Sequence, residues 1–137
     1  MNSQQVTPVP MRIAETIIDE IEEMYDQITR RAYEIFRERG GSSTLDLEDW
    51  LTAERELLYK PEVHVEEVDQ RIVVTVRIGK VRPLDVQLLI TPDAMVIQAQ
   101  PVAMARKVFR TVQFPRRIDV NKAEATYADG YLILTAA

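Results

Sequence analysis

Apolar spacing changes character once along the chain, at Tyr59-Lys60-Pro61. Before that point apolar residues recur at steps of three and four, as one face of a helix requires; after it they alternate, with turn residues between the runs. Helices followed by strands give a chain that is α+β by content. The spacing predicts a helical region over residues 1–59 and an all-β region over residues 60–137.

In the first region Ile13, Ile17, Ile21, Met24, Ile28, Ala32 and Ile35 form a single stripe. It predicts a helix over about 10–39, some ~45 Å long at ~1.5 Å per residue, either continuous or broken between Tyr25 and Thr29. Thr7-Pro8 and Pro10 punctuate its start, since proline suits a first turn whose N–H groups are orphaned anyway. Gly40-Gly41 supplies the permissive backbone of a helix end. Acidic Glu15, Asp19, Glu20, Glu22 and Glu23 come early and Arg30, Arg31, Arg37 and Arg39 late, as the helix dipole favours. After Ser42-Ser43-Thr44, a second helix is predicted over about 46–58, with Leu47, Trp50, Leu51, Leu57 and Leu58 apolar and Ala53 beside them. The two make an α-helical hairpin, too small to bury its own stripe. A partner subunit or the β region must cover it.

In the second region strands are predicted over His64–Val68, Arg71–Ile78, Val86–Thr91, Ala94–Gln100, Lys107–Phe114, Glu124–Ala128 and Tyr131–Thr135. Pro92-Asp93 and Asp129-Gly130 mark tight turns. Short strands at this spacing predict an antiparallel, immunoglobulin-like β-sandwich.

Several function classes are excluded at this stage. The formal charge of −5 lacks the clustered cations that a nucleic-acid footprint needs. No apolar run approaches the ~20 residues of a membrane span, and the N-terminus has no signal-peptide pattern. The absence of cysteine removes disulfides, thiolate zinc sites and Cys nucleophiles, and suits a cytoplasmic protein. No phosphate loop, HExxH or calcium loop occurs. No cofactor, no metal and no enzymatic activity are expected.

Four segments, in order, carry a resemblance: Pro61-Glu62-Val63-His64-Val65, Gly79-Lys80-Val81-Arg82-Pro83-Leu84-Asp85-Val86, Arg110-Thr111-Val112-Gln113-Phe114-Pro115, and Ala125-Thr126-Tyr127-Ala128-Asp129-Gly130-Tyr131-Leu132-Ile133-Leu134. Together they resemble the α-crystallin domain of the small heat-shock proteins (Hsp20) over residues 60–135. Tyr131 replaces the usual small aliphatic after the glycine. The helical part is similar to a small bacterial helical domain of unknown function, through Arg31-Ala32-Tyr33-Glu34-Ile35-Phe36 to Gly40 and Asp49-Trp50-Leu51-Thr52-Ala53-Glu54-Arg55-Glu56-Leu57. The first resemblance implies an ATP-independent chaperone of the stress response, a holdase for partly unfolded proteins; the alternative is a p23-like scaffold or co-chaperone with a specific folded partner. Two departures follow from comparison with the family. Only Pro101–Ala105 stands where bacterial members carry a long swapped loop, and the chain stops at Ala137, where a docking tail is expected. Dimers by loop swapping and oligomers by tail docking are therefore not expected; a homodimer or homo-oligomer made by the helices is.

The candidate binding residues follow. Arg110 shares a face with Val108, Val112 and Phe114, so a cation lies on an apolar face; it requires a carboxylate, an interface, or a snorkelling stem. In the family the matching arginine pairs with an acidic residue at the dimer interface. The last strand is apolar on both faces. The resemblance implies that Tyr131 and Ile133 line a peptide groove with Val86, Leu88 and Ile90, unless the N-terminal helices cover it. Ile13, Ile17, Ile21, Met24 and Ile28 are the candidate helical assembly face. His64, the only histidine, alternates with Val63 and Val65 and lies on a solvated face. The acidic runs Glu66-Glu67-Asp69 and Asp19–Asp26 read as solvated faces, not metal or acid–base sites.

Overall fold

A computed structural model describes residues 6–41 and 47–137. The predicted turn Ser42-Ser43-Thr44 and the first residue of the second predicted helix lie outside the described residues. Among those described, two helices and ten strands run in the order β1 (Thr7–Pro8), β2 (Met11–Ile13), α1 (Ile18–Glu38), α2 (Leu47–Leu57), β3 (Leu58–Tyr59), β4 (Val63–Val68), β5 (Arg71–Arg77), β6 (Val86–Ile90), β7 (Ala94–Ala99), β8 (Lys107–Gln113), β9 (Glu124–Ala128) and β10 (Tyr131–Ala136).

The strands form two five-stranded sheets, β1-β9-β10-β5-β4 and β2-β6-β7-β8-β3. Alternation decides which side chains meet between them. Ile72, Val74 and Val76 of β5 and Leu132 and Leu134 of β10 face Leu88, Ile90, Met95, Ile97, Val108 and Val112 of the other sheet in one core. Asp129-Gly130 turns with both residues at positive φ, 50° and 85°, and pairs β9 with β10 as the sequence predicted. Asp69-Gln70 makes the same kind of turn, at 52° and 67°, without a glycine.

The second sheet has a second apolar face. Leu89, Val96 and Phe109 point away from the core, where Met24, Ile28 and Ala32 of α1, Ala53 of α2 and Leu58 pack on them. The helices are therefore a third layer on the sandwich. Met24 and Ile28 are 4% and 2% exposed, so the central part of the candidate assembly face is consumed within the chain. An assembly built on that stripe is corrected by this packing.

Three further expectations change. Helix α1 starts at Ile18, not near residue 10, and runs unbroken through Tyr25–Thr29. Ile13 belongs to β2 and Ile17 to the approach to α1, so neither is a helical stripe residue. The boundary at Lys60 does not separate two bodies of structure, because β1, β2 and β3 all precede it and join the sheets. Nor are the sheets wholly antiparallel: β2 runs parallel to β6, and β3 parallel to β8. Both parallel strands come from the N-terminal region, which approaches the second sheet at its two edges.

Side chains also tie α1 to α2. The Arg39 guanidinium donates from Nε and Nη2 to the two oxygens of Asp49, at 3.0 and 2.6 Å. Arg31 gathers three carboxylates, Glu56 at 2.6 Å, Glu34 at 3.0 Å and Glu38 at 3.3 Å. Those contacts hold the Arg31 charge more firmly and, through the hydrogen bond from Arg31, pull the Glu56 carboxyl below its ordinary value of 4.5. Tyr25 packs on Trp50 with ring centroids 5.4 Å apart.

Candidate functional site

The segment Thr7–Ile13 is an extended strap that crosses from one sheet to the other. Its first half lies on the edge of β9, with Thr7 opposite Tyr127 and Pro8 opposite Thr126. Its second half lies on the edge of β6, with Met11, Arg12 and Ile13 opposite Leu88, Leu89 and Ile90. Between the two, Val9 sinks into the sandwich core and Met11 packs against it. Pro8 and Pro10 have no N–H to give, and suit edge strands for that reason. The Val9 N–H donates to the Ala125 carbonyl (2.9 Å) and the Ala14 N–H to the Ile90 carbonyl (3.0 Å). The Arg12 guanidinium pairs with Glu20 in the first turn of α1. A groove of about 670 Å³ runs along the strap, with Ile90 on one wall and Ala125 on the other.

The strap explains where each predicted groove residue falls. Val86, Leu88 and Ile90 are buried, and the outer edge of their strand β6 is taken by β2. Tyr131 and Ile133 do not meet them. Strand β10 is internal to its sheet, flanked by β9 and β5, and only its alternate residues Leu132 and Leu134 enter the core. Tyr131 is 42% exposed on the opposite face. The wall opposite β6 is β9, whose contribution was missed. The legible signal was Ala125 and Tyr127 alternating with polar neighbours on a strand that precedes a turn.

Arg110 stands opposite Ile97, one strand in from the second sheet's edge only as far as β3 extends, since β3 pairs with Lys107 and Val108 alone. Its Nε is buried and finds no hydrogen-bond partner among the described residues. His64 is exposed, 3.8 Å from the exposed Glu66. Among the described residues no group of His, Cys, Asp and Glu is arranged to hold a metal ion, and no helix is long and apolar enough to cross a membrane.

The two layered sheets make a β-sandwich that resembles in fold a solved heat-shock protein, here carrying added N-terminal elements. Among solved structures the chain is similar to HSP18.5 from E. histolytica, with a TM-score of 0.51 at 11% identity over 57% of this chain and 86% of that one. Heat shock protein 16.0 from Schizosaccharomyces pombe (TM-score 0.49, 22% identity, 57% and 86% covered) and hspA from Xanthomonas axonopodis (0.49, 14%, 57% and 92%) lie nearby. At such identities the likeness to the E. histolytica protein is one of fold. Residues 23–58 match the model of a family described as a protein of unknown function, DUF2934. That stretch holds most of α1, all of α2 and the first residue of β3. No curated protein matches the chain.

Proposed function

We propose that the chain is an ATP-independent chaperone of the small heat-shock type, acting in the cytoplasm, which holds partly unfolded proteins on the apolar groove beneath the strap. The observation that carries this reading is the strap itself. It covers the facing edges of β6 and β9 with two short pairings and one buried side chain, Val9. An extended apolar segment of an unfolded chain offers the same groups: backbone for two sheet edges and one aliphatic knob. Release of the strap uncovers β6 and β9 together. Ala14 and Ile17, between the strap and α1, pack on the helical cluster, so the strap can depart while the helices stay on the second sheet.

The test is suppression of thermal aggregation of a client by the Pro8→Cys/Thr126→Cys double variant, whose two positions are direct cross-strand partners. The chain has no other cysteine, so one disulfide alone can form and pin the strap. The reduced variant is expected to suppress aggregation near stoichiometric ratio and the oxidised one to lose most of that capacity. If the natural chain fails to suppress at stoichiometric excess, the holdase reading is overturned and a scaffold with a specific folded partner takes its place. Equal suppression by the oxidised and reduced forms would remove the groove from the reading.

A further inference from the structure

A second concavity lies on the other side of the second sheet, where the helical layer meets strand β8, and the function proposed above makes no use of it. It measures about 230 Å³. Its apolar wall includes Met24, Tyr25 and Ile28 of α1 and Trp50 of α2, and its floor Phe109. Those four fall in the stretch 23–58, Ile21 of the same wall lies just before it, and Phe109 belongs to β8, so neither the helical unit nor the sandwich makes this pocket by itself. The charged residues lining it are Glu54, Lys60 and Arg110. Lys60 and Glu54 neutralise each other at 2.8 Å. Arg110 is left as the uncompensated cation, with a buried Nε that donates to no described residue. A guanidinium nitrogen out of water with nothing to donate to is unfavourable, the more so because the group is charged. The nitrogen itself is closed to solvent, so a ligand in the pocket meets the rest of the guanidinium, whose fork the paired oxygens of a carboxylate match.

We infer that this pocket binds a small amphipathic carboxylate, its anionic head on Arg110 and its apolar tail between the two helices and Phe109. The volume sets the size. At ~30 Å³ for each water-sized group it takes seven or eight such groups, roughly a medium-chain fatty acid or a small aromatic acid. The charge sets the sign. With Glu54 and Lys60 paired, the lining carries one net positive charge, which favours an anion over a neutral or cationic amphiphile of the same length. A ligand bridging α1, α2 and β8 also clamps the helical layer to the sheet, so binding raises the melting temperature of the whole chain.

Octanoate is the probe, with octanol as its neutral counterpart of equal chain length. Trp50 is the chain's one tryptophan and lines the pocket, so its emission reports occupancy without a label. Octanoate is expected to shift Trp50 emission saturably and to raise the melting temperature, and to bind about tenfold or more tightly than octanol. Arg110→Met keeps the stem and removes the charge. It is expected to reduce octanoate affinity to that of octanol and leave octanol binding unchanged, and Arg110→Lys is expected to fall between. Circular dichroism of each variant verifies the fold, and unchanged octanol binding verifies the pocket. The inference is overturned if octanoate and octanol bind alike, if Arg110→Met leaves octanoate affinity intact, or if neither probe moves Trp50. It is equally overturned if native mass shows a dimer that Arg110→Met dissociates while octanoate does not bind, because the carboxylate then comes from a second copy. None of these outcomes bears on aggregation suppression through the strap groove, which lies at β6 and β9.

Discussion

Single residues in this chain divide into those that close a local hydrogen-bond account and those that hold an element at an angle. Tyr127 is of the first kind. Its hydroxyl donates to the Gly79 carbonyl (2.8 Å) and accepts from the Val81 N–H (3.2 Å), tying the loop after β5 to strand β9. Tyr127→Phe leaves both backbone groups to find water and is expected to cost about 1 kcal/mol in denaturant unfolding. Asp49 is of the second kind. It is 5% exposed and takes both forks of Arg39, so removing its charge takes two hydrogen bonds from a partly exposed guanidinium. Asp49→Ala is expected to destabilise by about 2 kcal/mol, below the 3–5 kcal/mol of a fully buried pair because Arg39 is partly solvated. Glu56 sets a pH dependence. Its folded-state carboxyl is lowered by Arg31, so its stabilising contribution is present above the ordinary value of 4.5 and is lost as pH falls through the lowered one. Glu56→Gln is therefore expected to flatten the acid limb of the stability profile, read by melting temperature against pH. Gln70 was not legible as special in the sequence. It occupies the left-handed region that the Asp129-Gly130 turn fills with glycine, and Gln70→Gly is expected to stabilise by about 0.5 kcal/mol once the entropy of glycine is set against the relieved strain.

At the level of elements, the sequence was most legible where two signals coincided. Strands β5 and β9 each had alternation plus a turn residue at a fixed place, β10 followed the Asp129-Gly130 turn, and the limits of all three were read to within a residue or two. The strap was misread because two rules agree there for different reasons. Ile13 and Ile17 continue the four-residue spacing of α1, and proline suits a helix start and an edge strand equally. What decides between them is tertiary: Val9 gains burial in the sandwich that it could not gain on an isolated helix end, and the open edges of β6 and β9 gain partners. The same reason hid the groove. Pairing order in a sheet is a long-range property, and nothing local in Tyr131 or Ile133 says that β10 is internal. A burial test follows from the helical layer. Phe109, 8% exposed, stands against the face that carries Met24 and Ile28, and Phe109→Ala is expected to cost about 3–5 kcal/mol by equilibrium denaturation. A sandwich stable without its helices would lose far less, since Phe109 would already face water.

For the whole molecule, the packing makes the residues before Lys60 part of the fold and not an appendage. The break in spacing at Lys60 is real, and both helices precede it, but so do three of the ten strands. Three strands cross it in the sense that matters: β1, β2 and β3 fill three of the four sheet edges, leaving β4 as the edge that residues before Lys60 do not supply. A chain of residues 60–137 therefore loses those three edge partners and also bares Leu89, Val96 and Phe109 on one face. An apolar face beside open edges promotes association. The fragment is expected to bind a hydrophobic dye strongly, to run as aggregate or oligomer in size exclusion, and to melt well below the full chain. The full chain is expected to unfold in one transition, with Trp50 emission reporting the helical layer and circular dichroism near the strand minimum reporting the sheets at the same midpoint. Two separated midpoints would mean that the helices leave the sheet first. In that case Phe109 and its neighbours become a second apolar surface, and the strap is no longer the one element whose release exposes the sandwich.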